Sequence, residues 1–412
     1  VHGVRLVVSI LLVASVSHPA WAASKEEDYD VLYDDARLPP YQLPDPLVTV
    51  TGERVTTPEQ WFSSRRPEIL SLFSTLVYGR VPAPADPIEV TTDVVRSDDD
   101  FLGGKGTRKE VRIRFHNARG SQRMTILVIH PNTGEPDPAL LLHSFDEIQG
   151  RSYREDPDRP GWFRNRIPIG DMLDQGIGFV AVYQQDLLAH NEVEFQSGIH
   201  RLFYGPGQSF PAADEWGVLS TVAWGAMRAL DYLETDTGID AQRVAVMGHS
   251  KMGKAALWTA AQDERFALAL SAQSGCAGAA LWRRKSGETL EKMVTRFPYW
   301  LCRNAWKFVG QEEDLPVDQH MLLALIAPRP VYVFSGQDDG WADPQGEYLG
   351  AYHAGEVYRL LGGTAPESPE LPPLGEPILD TTVGYHIRAG GHSVEPYDWE
   401  QLLDFVGRHL LR

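Results

Sequence analysis

The sequence predicts an α/β protein with a mostly parallel central sheet and helices on both faces. Three observations carry that prediction. Apolar runs at Ala139–Leu142, Ile177–Tyr183, Val244–Met247, Ala267–Leu270 and Val331–Phe334 are short, continuous and bounded by turn residues, as strands buried on both faces should be. Helical segments lie between them. In the clearest, Asp214 to about Glu234, apolar residues from Trp216 to Leu233 recur at three- and four-residue spacing, with Asp214 placed to cap the start. Strands that alternate with helices imply parallel pairing through right-handed crossovers.

From the N-terminus, Arg5 precedes an apolar run from Leu6 to Val16, and a c-region ends at Ala20-Trp21-Ala22 before Ser24-Lys25-Glu26-Glu27. This pattern predicts a signal peptide over residues 1–22, and hence export to the periplasm or the extracellular space. The run is too short for a retained membrane anchor, which needs about 18 apolar residues. Residues 23–412 then read as a single domain with an extended N-terminal arm, because Asp28 to Pro46 is acidic and proline-rich. A helical stretch follows around Pro58 to Tyr78. Alternating patterns at Glu110–Phe115 and Met124–His130 predict antiparallel strands at one edge of the sheet. Further on, Thr364 to Pro377 reads as a long surface loop, Val383–Arg388 as the last strand, and Trp399 to Leu411 as the closing helix.

The 412 residues carry a formal net charge of −18, with 43% hydrophobic and 23% charged residues. Removal of residues 1–22 takes away only Arg5 and leaves −19. Such a surface repels nucleic acid and anionic lipid, so neither is an expected partner. No CxxC, HExxH or His-rich cluster offers metal-ligand spacing, so no metal is expected. The two cysteines, Cys276 and Cys302, are permitted a disulfide by export.

Chemistry enters at Val244-Ala245-Val246-Met247-Gly248-His249-Ser250-Lys251-Met252-Gly253-Lys254, a strand that ends in Gly-His-Ser and continues as a helix. Ser250 falls at the carboxyl end of a parallel strand, where ligands collect. Two readings are open. It is a nucleophile on a sharp turn, although the second glycine of G-x-S-x-G stands one place late at Gly253; or it is an N-cap of the helix. A triad should continue in the order acid, then histidine, each after a later strand. After Val331–Phe334 come Asp338 and Asp339, and after Val383–Arg388 comes His392. The ordered set Ser250, Asp339 (Asp338 in reserve) and His392 points to acyl transfer. His386, within a strand, reads as a core residue, and His249 as a packing residue of the turn.

These residues resemble the glucuronoyl esterases, carbohydrate esterase family 15, over nearly the whole chain after the leader. The resemblance runs from Arg65-Arg66-Pro67-Glu68-Ile69-Leu70 and Val77-Tyr78-Gly79-Arg80 to the final Arg-x-Gly-Gly-His. Its specific signals are the G-H-S-K-M-G-K turn, Ser274-Gly275-Cys276-Ala277-Gly278-Ala279-Ala280, Arg283-Arg284-x-x-Gly287-Glu288-Thr289 and Trp341-Ala342-Asp343-Pro344. It implies an α/β-hydrolase fold, no cofactor, and cleavage of the ester between 4-O-methyl-glucuronoyl groups on xylan and alcohols of lignin. Glucuronoxylan or lignin–carbohydrate ester is then the expected partner of a monomeric enzyme. Carried over by position, Ser250 resembles the nucleophile and His392 the base, while Lys254, Glu288 and Trp341 resemble the residues that bind the uronate sugar.

Three positions depart from the pattern. Gln273 stands where many members place the acid, which leaves Asp339 to supply it. Lys251 replaces the arginine that follows the serine; its backbone N–H is the expected oxyanion donor. Tyr299-Trp300 replaces a His-Trp pair. Two rival readings are an acetyl xylan esterase, which shares the triad, and a non-catalytic uronate-binding protein, which Gln273 and Lys251 suggest.

Overall fold

The computed structural model describes residues 35–188 and 195–411, so the expected leader over residues 1–22 lies outside the described residues. Nine strands form one sheet: β1 Glu89–Asp100, β2 Gly106–Asn117, β3 Gly120–Pro131, β4 Asp137–Ser144, β5 Gly178–Tyr183, β6 Ile239–His249, β7 Leu268–Ala272, β8 Val331–Gly336 and β9 Val383–Arg388. Their spatial order is β1-β2-β3-β5-β4-β6-β7-β8-β9. The pairings from β1 to β5 are antiparallel, and those from β5 to β9 are parallel. All five apolar runs and the last predicted strand are therefore the parallel part, and the two alternating segments lie toward the antiparallel edge.

Among the described residues, six helices have seven residues or more: α1 Arg66–Leu76, α2 Val218–Leu233, α3 Lys251–Gln262, α4 Leu290–Arg296, α5 Pro344–Leu360 and α6 Pro396–Leu410. Side chains of α1, α2, α3 and α5 share one buried cluster with Val111, Val180, Val246 and Val333 of the sheet. On the other face α6 and the short helix Ile169–Asp174 bury Trp399, Leu402 and Met172 against Leu127, Met247 and Phe334. Helices on both faces of a largely parallel sheet, with the strand-to-helix turn of β6 and α3 at its centre, make this an α/β-hydrolase fold.

The structure corrects several local expectations. Asp214 does not cap α2, whose N-cap is Gly217. The chain before α2 instead runs along Arg80: Arg80 N–H donates to the Asp214 carbonyl at 3.0 Å, Trp216 N–H donates to the Arg80 carbonyl at 3.1 Å, and the Asp214 carboxylate accepts from Arg80 Nε at 2.8 Å. The closing helix starts at Pro396, three residues early, because proline suits the first helical position and Glu395 and Asp398 form a capping box ahead of it. Cys276 and Cys302 are both free and buried, so no disulfide links them. Burial raises the Cys276 thiol well above its ordinary range and the Cys302 thiol to about 11. None of the described helices is long and apolar enough to cross a membrane.

Candidate active site

Four adjacent parallel strands, β6 to β9, end at one rim, and the predicted site residues sit just beyond them. The register pairs His249 with Ala272, Ala272 with Phe334, and Gly336 with Arg388. Ser250, Gln273, Asp339 and His392 therefore lie in four neighbouring loops.

Ser250 has φ 58° and ψ −128°, a conformation that side-chain-bearing residues rarely adopt. Its side chain makes no capping hydrogen bond, so the helix-cap alternative fails. The turn is fixed by backbone: Ser250 N–H donates to the Ala272 carbonyl at 2.8 Å, and the Ser250 carbonyl accepts from Gly253 at 2.9 Å and Lys254 at 3.2 Å. The glycines explain the spacing. A Cβ on Gly248 would lie 2.0 Å from the Met252 carbonyl oxygen, and one on Gly253 would lie 2.9 Å from Ser274 Cβ. Close approach, rather than the exact G-x-S-x-G interval, is what the turn requires, and Met252 is free to be a fully buried core residue.

His392 Nδ1 lies 2.5 Å from Asp339 Oδ2, and Asp339 is 6% exposed. Asp338 is exposed and contributes its backbone N–H to the Gly390 carbonyl at 3.0 Å. Of the two carboxylates, the structure brings Asp339 to the histidine. The Arg-x-Gly-Gly-His motif acquires a physical meaning here, since Arg388 donates to the carbonyls of Ala389 at 2.8 Å and Gly391 at 3.1 Å, and also to that of Ser393. Arg388 is held in turn by Asp398 of α6 at 2.7 Å. Asp398 also meets His386 Nε2 at 2.8 Å, while Tyr332 Oη meets His386 Nδ1 at 2.7 Å, so His386 is a fully buried structural residue with both nitrogens occupied.

Gln273 accounts for the apparent loss of an acid. Its Oε1 accepts from His249 Nε2 at 3.1 Å and its Nε2 donates to the Ser393 carbonyl at 2.8 Å, so one amide ties the serine turn to the histidine loop. The His249 ring packs 4.5 Å from that of His392. Burial, with repulsion from His392, pushes the His249 pKa down to about 4, which keeps it neutral, and the Gln273 Oε1 acceptor places its proton on Nε2. A carboxylate cannot replace the amide cleanly, because one oxygen would face the Ser393 carbonyl. We predict that Gln273→Glu lowers stability by about 1–3 kcal/mol and reduces turnover, which urea unfolding and ester hydrolysis would check.

Lys254, one turn after Ser250 on α3, is 3% exposed, and Glu288 is 7% exposed. They are paired at 2.7 Å, which excludes a solvated helix face for both. The Lys254 ammonium also donates to the carbonyls of Ser274 at 2.8 Å and Cys276 at 2.5 Å, so all three of its donors are used. Contact between Lys254 and a sugar was expected; the structure shows the ammonium holding Glu288 and two backbone carbonyls beside the serine turn. Glu288 N–H donates to the Trp341 carbonyl at 2.8 Å, so the Glu288 loop lies against the turn that follows Asp339. Trp341 is partly exposed, with the Arg296 guanidinium 5.8 Å and the Lys292 ammonium 6.0 Å from its ring centre. Lys251 is 4% exposed, and its ammonium stands 4.9 Å from the Trp300 ring.

One residue carried no sequence signal. Glu347 of α5 is fully buried beneath the loops after β7 and β8. It accepts from Gly275 N–H at 3.0 Å, Ser274 Oγ at 3.2 Å and Ser335 Oγ at 2.6 Å. Burial, with repulsion from Asp339, raises its pKa to about 7 against these bonds. The native state then binds more protons than the unfolded chain between about pH 4.5 and 7. Stability should fall as pH rises through that window. Glu347→Gln should remove a change on the order of 3 kcal/mol, measurable as a flatter melting temperature against pH.

No group of three or more His, Cys, Asp or Glu among the described residues is placed to hold a metal ion. The sequence profile of the family described as glucuronyl esterase, fungi, matches residues 167–362. A carbohydrate esterase from an unknown prokaryotic organism is 36% identical over 431 residues, covering 97% of this chain and 98% of its own length. Among solved structures, the glucuronoyl esterase from Solibacter usitatus is 39% identical with a TM-score of 0.83, covering 91% of this chain and 100% of that one. A mutant glucuronoyl esterase from Sporotrichum thermophile, solved with methyl 4-O-methyl-β-D-glucopyranuronate, is 25% identical with a TM-score of 0.66, covering 90% and 88%. By its fold, its motifs and its likeness to these proteins over almost its full length, the chain belongs to the glucuronoyl esterases of carbohydrate esterase family 15.

Proposed function

We propose that the protein is a serine esterase that hydrolyses the ester between (4-O-methyl-)glucuronoyl groups of xylan and lignin-type alcohols. The observation that carries this reading is the Asp339–His392 pair in the loops beside a strained Ser250 turn. His392, oriented by Asp339, takes the proton of Ser250 Oγ as that oxygen adds to the uronoyl carbonyl carbon. The oxyanion accepts from the Lys251 backbone N–H, at the first turn of α3 where helix donors lack intrahelical acceptors. Collapse breaks the ester bond, and the alcohol leaves with the proton from His392. Water, deprotonated by His392, then cleaves the acyl-enzyme and releases the uronic acid and Ser250.

Glu288 accepts from sugar hydroxyls and Trp341 packs on the pyranose face, with Lys254 holding the carboxylate in place. Glucuronoxylan or a lignin–carbohydrate ester is the proposed substrate, met after export as a monomer. The test is hydrolysis of benzyl glucuronate beside release of acetate from acetylated xylan. We expect kcat/KM at least about a hundredfold higher on the glucuronate, because a site built to accept uronate hydroxyls rejects a substrate that leaves its buried polar groups unpaired. A preference for acetylated xylan would overturn the reading. The binding-protein alternative loses its main support, since the Gln273 amide is occupied with His249 and Ser393 while the Asp339 carboxylate meets His392.

A further inference from the structure

This chain of net charge −18 carries a groove of about 690 Å³ lined by Arg96, Arg108, Arg112 and Arg154 with a single carboxylate, Glu110. Glu110 is 4% exposed and serves as the hub: it accepts from Gln149 Nε2 at 3.3 Å and pairs with Arg108 at 3.5 Å and Arg96 at 3.8 Å. Arg108 is pinned further by the Tyr153 carbonyl at 3.1 Å. Arg112 and Arg154 have no ion-pair partner among the described residues. Four guanidinium groups around one carboxylate leave an excess of three positive charges, or two if Asp98, which also acts on Arg108, is counted. Arg96 and Arg154 both repel Arg108, so the cluster holds like charges together that an anion would relieve.

Backbone irregularity marks the same place. The β1–β2 register shifts between Val94 and Arg96, and this bulge sets Arg96 opposite Glu110. Bulges on edge strands re-aim side chains and are common beside binding sites. The position relative to Ser250 follows from the register. One row of residues crosses the sheet through Glu110, Leu127, Ala181, Leu142 and Met247. Glu110 is therefore level with Met247, three residues before Ser250, and Arg112 is two residues nearer the rim. Four strand spacings separate β2 from β6, roughly 19 Å at about 4.8 Å each.

We propose that this groove is a second anion-binding site, which takes a free uronate carboxylate borne by the same polysaccharide chain whose ester lies at Ser250. The planar fork of arginine matches a carboxylate, which favours this ligand over a neutral sugar. The separation spans more than one sugar ring, so a ligand that reaches both places is a polymer. On a surface that otherwise repels polyuronides, a local positive groove gives the chain a place to land. The inference rests on the esterase reading above, and its test separates the two.

The full-length Ser250→Ala protein would be run in native gels containing unesterified glucuronoxylan or neutral arabinoxylan, with and without Arg154→Glu and Arg112→Gln. Arg154 is exposed, so its variant should fold; melting curves check both. We expect retardation by glucuronoxylan only, weakened about tenfold in the double variant, as loss of charge-assisted hydrogen bonds would give. In the Ser250 protein, the ratio of kcat/KM on an esterified glucuronoxylan to that on benzyl glucuronate should fall by about the same factor in Arg154→Glu. Unchanged retardation and an unchanged ratio would overturn the groove. Equal retardation by dextran sulfate would overturn its assignment to uronate. Failure of the unsubstituted protein to hydrolyse benzyl glucuronate would sink the esterase reading, while the gels would still report on the groove.

Discussion

Replacing Ser250 with alanine is expected to lower kcat on benzyl glucuronate by roughly a millionfold, the scale seen when the nucleophile of a serine hydrolase is removed. The substitution should leave the fold intact. Alanine at φ 58° is strained to the same degree as serine, and the Ser250 side chain makes no capping bond that alanine would lose. Glucuronate binding should survive, because Glu288, Lys254 and Trp341 are untouched. Ser250→Gly is the informative companion: it should abolish turnover equally and raise stability by about 1 kcal/mol through relief of the positive φ. Persistent hydrolysis in the alanine variant would remove Ser250 from the mechanism.

The second large effect concerns the acid. Asp339→Asn should reduce kcat by about ten-thousandfold, since an amide at 2.5 Å from His392 Nδ1 favours the wrong tautomer and cannot stabilise the imidazolium. Asp338→Asn should change kcat by less than about threefold, because that side chain is exposed and only its backbone N–H is bonded. The pair discriminates adjacent carboxylates whose sequence context is nearly the same. A loss confined to Asp338→Asn would reverse the assignment.

The parallel half of the sheet was legible because strands buried on both faces must be short and uniformly apolar, and Val244–Met247 and Val331–Phe334 have no other plausible reading. The edge strand β1 was not legible. All twelve of its residues are exposed, so it has no buried face to impose alternation, and the sequence offers only scattered valines among acids and threonines. Helix α5 was hidden for a different reason: Gly346 and Gly350 interrupt its propensity, yet a Cβ on Gly350 would strike the Ala279 carbonyl at 2.0 Å, so packing overrides propensity.

Within the site, the order serine, acid, histidine followed from strand ends alone, whereas the partners of each group did not. Lys254 illustrates the limit, since a residue type that suits sugar hydroxyls equally suits two carbonyls and a carboxylate, and only three-dimensional proximity decides. Gln273 reads as a defect in one dimension and as a brace in three. The groove at Glu110 was invisible for the same reason, because its arginines come from two strands and a loop that only the sheet brings together.

The bonds from Asp398 to Arg388 and His386 carry a consequence for how this enzyme comes into being. Arg388 gathers the carbonyls around His392, and Arg388 is itself anchored by a residue on the last helix. A chain still on the ribosome, or clipped before Pro396, would contain Ser250, Asp339 and His392 yet lack the carboxylate that holds the base in place. Activity should therefore wait until Asp398 has been made and its helix has docked, and cleavage between His392 and Asp398 should inactivate the protein.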